Sequence, residues 1–207
     1  MSHRGPRGSR PVRRSSTAAI RRELLVFREG LRTEEIYLSA WHRRCRDRVL
    51  VTIDPDPAGP LQLVERAIES KRRESADAKR GRGRPHDEIW CVFDRDDHPK
   101  VDHAVNLAAE HGIEVAVSNP CIELWFLLHF ETMSAFIERG DVQRRASKLL
   151  GCGKVLTDAA VEVLLDRYSE ARERPRLLDI KHDGDGSAPG SNPSSGVWRL
   201  VEAIRGA

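Results

Sequence analysis

The sequence predicts an α/β protein: a parallel sheet of about four strands flanked by helices, with a helical C-terminal extension. Three observations predict it. Short apolar runs, "ELLVF", "RVLVTI", "EIWCVF" and "IEVAVS", recur before residue 120. Segments with apolar residues at helical spacing lie between them, and such alternation calls for parallel strands joined by right-handed crossovers. Beyond residue 131 the strand-like runs stop and helical patterns continue. At 207 residues the chain suits one core plus extensions.

Residues 1–20 are rich in Arg, Gly, Pro and Ser and are expected to form a disordered basic tail. The α/β core is expected over 21–135. Its first strand spans 23–27 and ends at Glu29-Gly30. A helix follows over 33–45, where Ile36, Tyr37, Ala40 and Trp41 share a face and Glu34 and Glu35 suit the first turn. The second strand, 48–53, stops at the breaker-rich "DPDPAGP". A helix from Leu61 to about Ser75 leads through "GRGRP" to the third strand, 88–93. The helix over 101–112 closes on Gly112, the fourth strand covers 113–118, and Pro120 opens a helix over 119–130. The extension, 136–207, carries helices at 141–150, 158–173 and 197–205, with 181–196 irregular.

Charge and cysteine content narrow the function classes. Net charge is +3, yet residues 1–22 hold seven arginines and no acid. The stretch 71–84, with Arg72, Arg80 and Arg82, has seven Lys/Arg against two acids. Such clusters suit a phosphate backbone, RNA or DNA; a solvated tail and loop are the competing reading. No apolar run approaches the ~18 residues of a membrane span, and the N-terminus lacks a signal peptide's apolar stretch, so a cytoplasmic protein without membrane partners is expected. The four cysteines form no Cys-x-x-Cys pair, and Cys91 and Cys121 read as buried small hydrophobes. No P-loop is present.

Chemistry in a parallel sheet gathers beyond the carboxyl ends of the strands. Here those ends deliver Glu29, then Asp94, Asp96 and Asp97, then Ser118 and Asn119. Close-set carboxylates repel, and a hard divalent cation, magnesium or manganese, relieves that repulsion. A solvated acidic turn is the alternative for an isolated Asp-x-Asp. Its pairing with a Glu-Gly at an earlier strand end favours the metal.

Four blocks then become recognisable: "VFREGLRTEEIYL", "DEIWCVFDRDDHP", "VAVSNPCIELWFLLHF" and "NPSSGVWRLVEAI". In order, from about residue 22 to 204, they resemble the RloB family, small proteins found near restriction-modification and defence loci. The resemblance implies a Toprim-like fold related to OLD-type defence nucleases. In that pattern an early strand ends in a glutamate and a later one in Asp-x-Asp, matching Glu29, Asp94 and Asp96. It also implies a Thr33–Glu34 pair with Glu34 as a second-site ligand or a helix-start charge. Asn119 and Lys154 become phosphate ligands, and Glu123 a further carboxylate. His129, in the same apolar string, reads first as a hydrogen-bonded core residue.

The expected function is therefore metal-dependent cleavage of phosphodiester bonds in nucleic acid, tRNA and other RNA or DNA, in antiphage defence. Glu29, Asp94, Asp96 and Glu123 are the expected catalytic residues, and Asp97 joins the first three as a metal ligand. The rival is a non-catalytic Toprim-like binding or regulatory module working with an RloA-like ATPase. A homo-oligomer stays open.

Overall fold

The structure, a computed structural model, describes residues 21–95 and 100–206. The expectations for the basic tail, Asp96 and Asp97 lie outside them. Four strands run parallel: β1 (Arg22–Arg28), β2 (Val49–Ile53), β3 (Glu88–Asp94) and β4 (Glu114–Asn119). Their order is β2-β1-β3-β4. From β1 the chain first steps outward to β2 through α1 (Thr33–Cys45). It then returns across β1 to β3 through α2 (Pro60–Lys79) and continues to β4 through α3 (Val101–Glu110). The direction of winding reverses between β1 and β3, which opens a crevice at their carboxyl ends.

Continuous apolar strands are the mark of a sheet covered on both faces, and here each strand splits its residues by parity. Leu24, Val26, Trp90, Val92 and Ala116 pack with α1 and the C-terminal helices. Leu25, Phe27, Ile89, Cys91 and Phe93 face α2 and α3. Cys91 and Cys121 are fully buried, as expected of small hydrophobes.

Three elements depart from the expectations. The helix after β4, α4, spans only Ile122–Leu127. Asn119 still belongs to β4, the Asn119–Pro120 peptide is cis, and Cys121 is extended, so helix begins later. A fifth strand, β5 (Ser194–Ser195), pairs antiparallel with β4 at Ser118 and Asn119. Two serines offer no alternation by which to read it. The remaining helices are α5 (Arg139–Leu150), α6 (Asp158–Asp166), α7 (Tyr168–Ala171), α8 (Glu173–Asp185) and α9 (Val197–Arg205). Helix α8 runs into the stretch read as irregular. Its aspartates and Gly184 are poor helix formers, but Leu178 and His182, one turn apart, are buried and hold it in place. Residues 182–185 thus form its last turn, closed by Gly186 at φ 74°.

The core beneath α4 is aromatic. Trp125 Nε1 donates to the Tyr37 hydroxyl at 2.8 Å, and the His129 ring lies 4.6 Å from that of Trp125. His129 is fully buried, with Nδ1 bonded to the Trp125 carbonyl at 2.8 Å. Burial lowers its pKa from 6.5 to about 3, so the folded protein holds it neutral. Below pH 6.5 the unfolded chain takes up a proton that the folded chain refuses until about pH 3. The stability tied to neutral His129 is present above pH 6.5 and is lost as pH falls through that window. The urea midpoint should therefore fall further between pH 7.5 and 5 in the parent chain than in His129→Gln. Equal falls would show that His129 is not the group responsible.

Candidate active site

The crevice between β1 and β3 is acidic. Glu29 N–H continues the β1–β3 pairing by donating to the Val92 carbonyl at 3.0 Å. Its side chain then folds over the strand end, where Oε2 accepts from the Asp94 N–H at 3.0 Å. The two strand ends are thereby tied together through a catalytic candidate. Glu34, in the first turn of α1, is 6% exposed and points into the same space. Gly30 makes that possible: a Cβ there would lie 1.9 Å from Glu34 Oε2. Thus the Glu-Gly at the end of β1 supplies a carboxylate and clears room for another. Glu123, second residue of α4, completes the set.

These four carboxylates line one cavity of about 430 Å³ together with Arg139 and Lys154. Their crowding is visible in their protonation. Burial, then the charges of Glu34, Glu123 and Glu29, hold the Asp94 carboxyl well above its ordinary range. Arg139, whose Nη2 lies 3.8 Å from Asp94 Oδ2, opposes that rise. Glu34 is also raised, chiefly by burial and partly by Glu123 and Glu29.

Repelling oxygen donors of this kind suit a hard cation. Among the described residues, however, no three His, Cys, Asp or Glu side chains converge closely enough to hold an ion as they stand. Glu29 is engaged by the Asp94 amide and Asp94 by Arg139. Magnesium keeps several of its waters and takes only one or two protein carboxylates. The donor chemistry fits such an ion, and Glu29 and Asp94 are the residues that would hold it.

Glu29, Asp94, Glu123 and Lys154 line this one cavity. The Lys154 loop is fixed by Thr33, whose hydroxyl donates to the Lys154 carbonyl at 2.7 Å. Asn119 is not at this cavity. Its Nδ2 donates to the Gly190 carbonyl at 2.8 Å and so anchors the loop before β5. Arg72, Arg80 and Arg82 are exposed but distant: α2 returns from the carboxyl end of β2 towards the start of β3. That path carries Arg80 and Arg82 to the sheet edge opposite Asp94. Arg28, preceding Glu29, is buried and bonds the Gly30 carbonyl at 2.6 Å and Glu35 at 2.8 Å, which stiffens the turn. Arg139 and Gln143 were not foreseen. They lie one turn apart on α5 and reach the cavity because α5 packs on α4, for which the sequence holds no local signal.

The sequence profile of the family described as RloB-like protein matches residues 24–204. That span runs from β1 into α9 and includes every residue of the acidic cavity. No curated protein matches the chain. A match over so much of the sequence means that this chain belongs to the RloB-like protein family.

Proposed function

We propose that the protein is a magnesium- or manganese-dependent phosphodiesterase acting on nucleic acid. One observation carries the reading: four carboxylates crowd a crevice at the winding reversal of a parallel sheet, beside Arg139 and Lys154. The Glu29 and Asp94 positions also accord with a Toprim-like active site, and membership of the RloB-like family supports a role in antiphage defence beside an RloA-like ATPase.

A bound divalent ion would supply Lewis acidity at the phosphoryl oxygen and a more acidic water. Glu29 and Asp94 would hold it. Glu123, at the start of α4, lines the same cavity and would accept the proton of the attacking water. Lys154 and Arg139 would bring positive charge to the negatively charged phosphate. These contacts all address the backbone and so give no sequence preference.

The test is cleavage of labelled RNA and DNA by the purified chain, with and without magnesium or manganese. Glu123→Gln keeps shape and loses charge. It is expected to reduce the rate by about a hundredfold while leaving the melting temperature within a degree or two. The Arg139–Asp94 ion pair favours a second reading, a module that binds nucleic acid without cutting it. Divalent-independent binding with no cleavage of either substrate would establish that reading instead.

A further inference from the structure

Arg95 directly follows Asp94, and successive residues at a strand end point to opposite faces. It therefore turns from the carboxylates towards α3, where it pairs with Asp102 at 2.5 Å. There it borders a second cavity of about 430 Å³, a size typical of small-molecule sites. The two cavities share no lining residue.

Val115 and Val117 of β4 form an apolar floor and Val105 of α3 adds a wall, all three only partly buried. The opposite wall is α8 and the glycine-rich turn that follows it. This turn is preformed, because Asn119 holds the Gly190 carbonyl at 2.8 Å. Gly190 has φ +76°, a conformation that favours glycine, and it lies beside the Arg95 guanidinium.

Polar groups converge above the valines. Arg199 of α9 lines the cavity with its guanidinium 5.5 Å from the Trp198 ring centroid. Asp179 of α8 faces Arg199, and burial lifts its carboxyl above the ordinary range. His182 is 4% exposed; its Nε2 is bonded to the Pro193 carbonyl at 3.0 Å, which leaves Nδ1 buried without a partner. An apolar floor accepts a flat ring. Guanidinium forks match phosphate oxygens and stack on planar groups. A carboxyl group can bond the N–H edge of a heterocycle. One ligand class combines these three demands.

We infer that this cavity is a nucleotide subsite, taking one nucleoside monophosphate unit either free or within a single strand. The base lies on Val115 and Val117 with its edge towards Asp179, and the phosphate lies between Arg95 and Arg199. The subsite is independent of cleavage at the acidic cavity and stands even if the chain does not cut.

The experiment measures equilibrium binding of the four ribonucleoside monophosphates, and of short single-stranded RNA and DNA, to the full chain without divalent ions. Arg199→Gln and the cavity-filling Val105→Trp should each weaken binding at least tenfold, while Glu162→Gln, on the exposed face of α6, leaves it unchanged. If this pattern holds for the monophosphates, the ligand is a free nucleotide. If it holds for the oligonucleotides alone, the ligand is a unit of a strand. Should Val105→Trp melt early, Arg199→Gln, an exposed change, decides alone. No binding by the parent chain, or binding indifferent to Arg199→Gln, or binding lost equally in Glu162→Gln, overturns the inference.

Discussion

Asp94→Asn should lose on the order of a thousandfold of divalent-dependent cleavage and yet melt at a higher temperature than the parent chain in metal-free buffer. Both effects have one cause. Asp94 is buried among Glu29, Glu34 and Glu123, which raises its pKa well above 3.8. A group so shifted destabilises the fold in its charged form. The folded chain binds the Asp94 proton more tightly than the unfolded chain, so stability falls as pH rises from 3.8 through the folded pKa. An asparagine is never charged, so its advantage should grow with pH across that window and vanish below it. Magnesium favours the folded parent chain by binding it, and Asp94→Asn should lose most of that shift. Melting curves at pH 4, 6 and 8, with and without millimolar magnesium, check each statement. A variant that melts lower than the parent chain at pH 8 would mean that the Arg139 pair outweighs carboxylate repulsion.

Trp125→Ala should cost about 3–5 kcal/mol of folding stability, the largest loss expected from a single change away from the acidic cavity. Trp125 is fully buried and packs edge-on against His129 at 4.6 Å and Tyr168 at 6.3 Å. Truncation leaves a cavity in a helix that neighbours cannot easily fill. It also breaks the hydrogen bond that the Tyr37 hydroxyl accepts from Trp125 Nε1 at 2.8 Å inside a fully buried residue. Tyr37→Phe removes only the hydroxyl and should cost about 1–2 kcal/mol. The double variant should cost less than the sum, because removing the tryptophan has already broken the shared hydrogen bond. Urea unfolding of the three variants gives the cycle. Additive losses would show that the hydrogen bond contributes nothing beyond packing.

Much of the acidic site was legible because it sits where local patterns end. Leu24–Phe27 and Ile89–Phe93 are apolar at every position, so they read as strands buried on both faces, and the charged residues that end them mark the sheet's carboxyl edge. Glu29 and Asp94 could be placed there from position alone, and Glu123 and Lys154 from their motifs. Arg139 and Gln143 could not. They belong to a helix whose pattern shows only that Val142 and Ala146 are buried, not which neighbour buries them.

The sequence by itself determined four parallel strands, the crossovers between them, the closing helix 197–205 and the acids that terminate β1 and β3. These follow from nearest-neighbour preferences: apolar runs, helical spacing and breakers act within a few residues. The tertiary structure alone decided that β1 and β3 are adjacent, which brings Glu29 to the Asp94 amide. It alone paired Ser194–Ser195 with β4, set Asn119 on the Gly190 loop and sent Arg80 and Arg82 to the far edge. Such pairings join segments dozens of residues apart, such as Glu29 and Asp94, 65 positions apart. Their free energy comes from the sheet and core as a whole, so no local stretch of the chain records them.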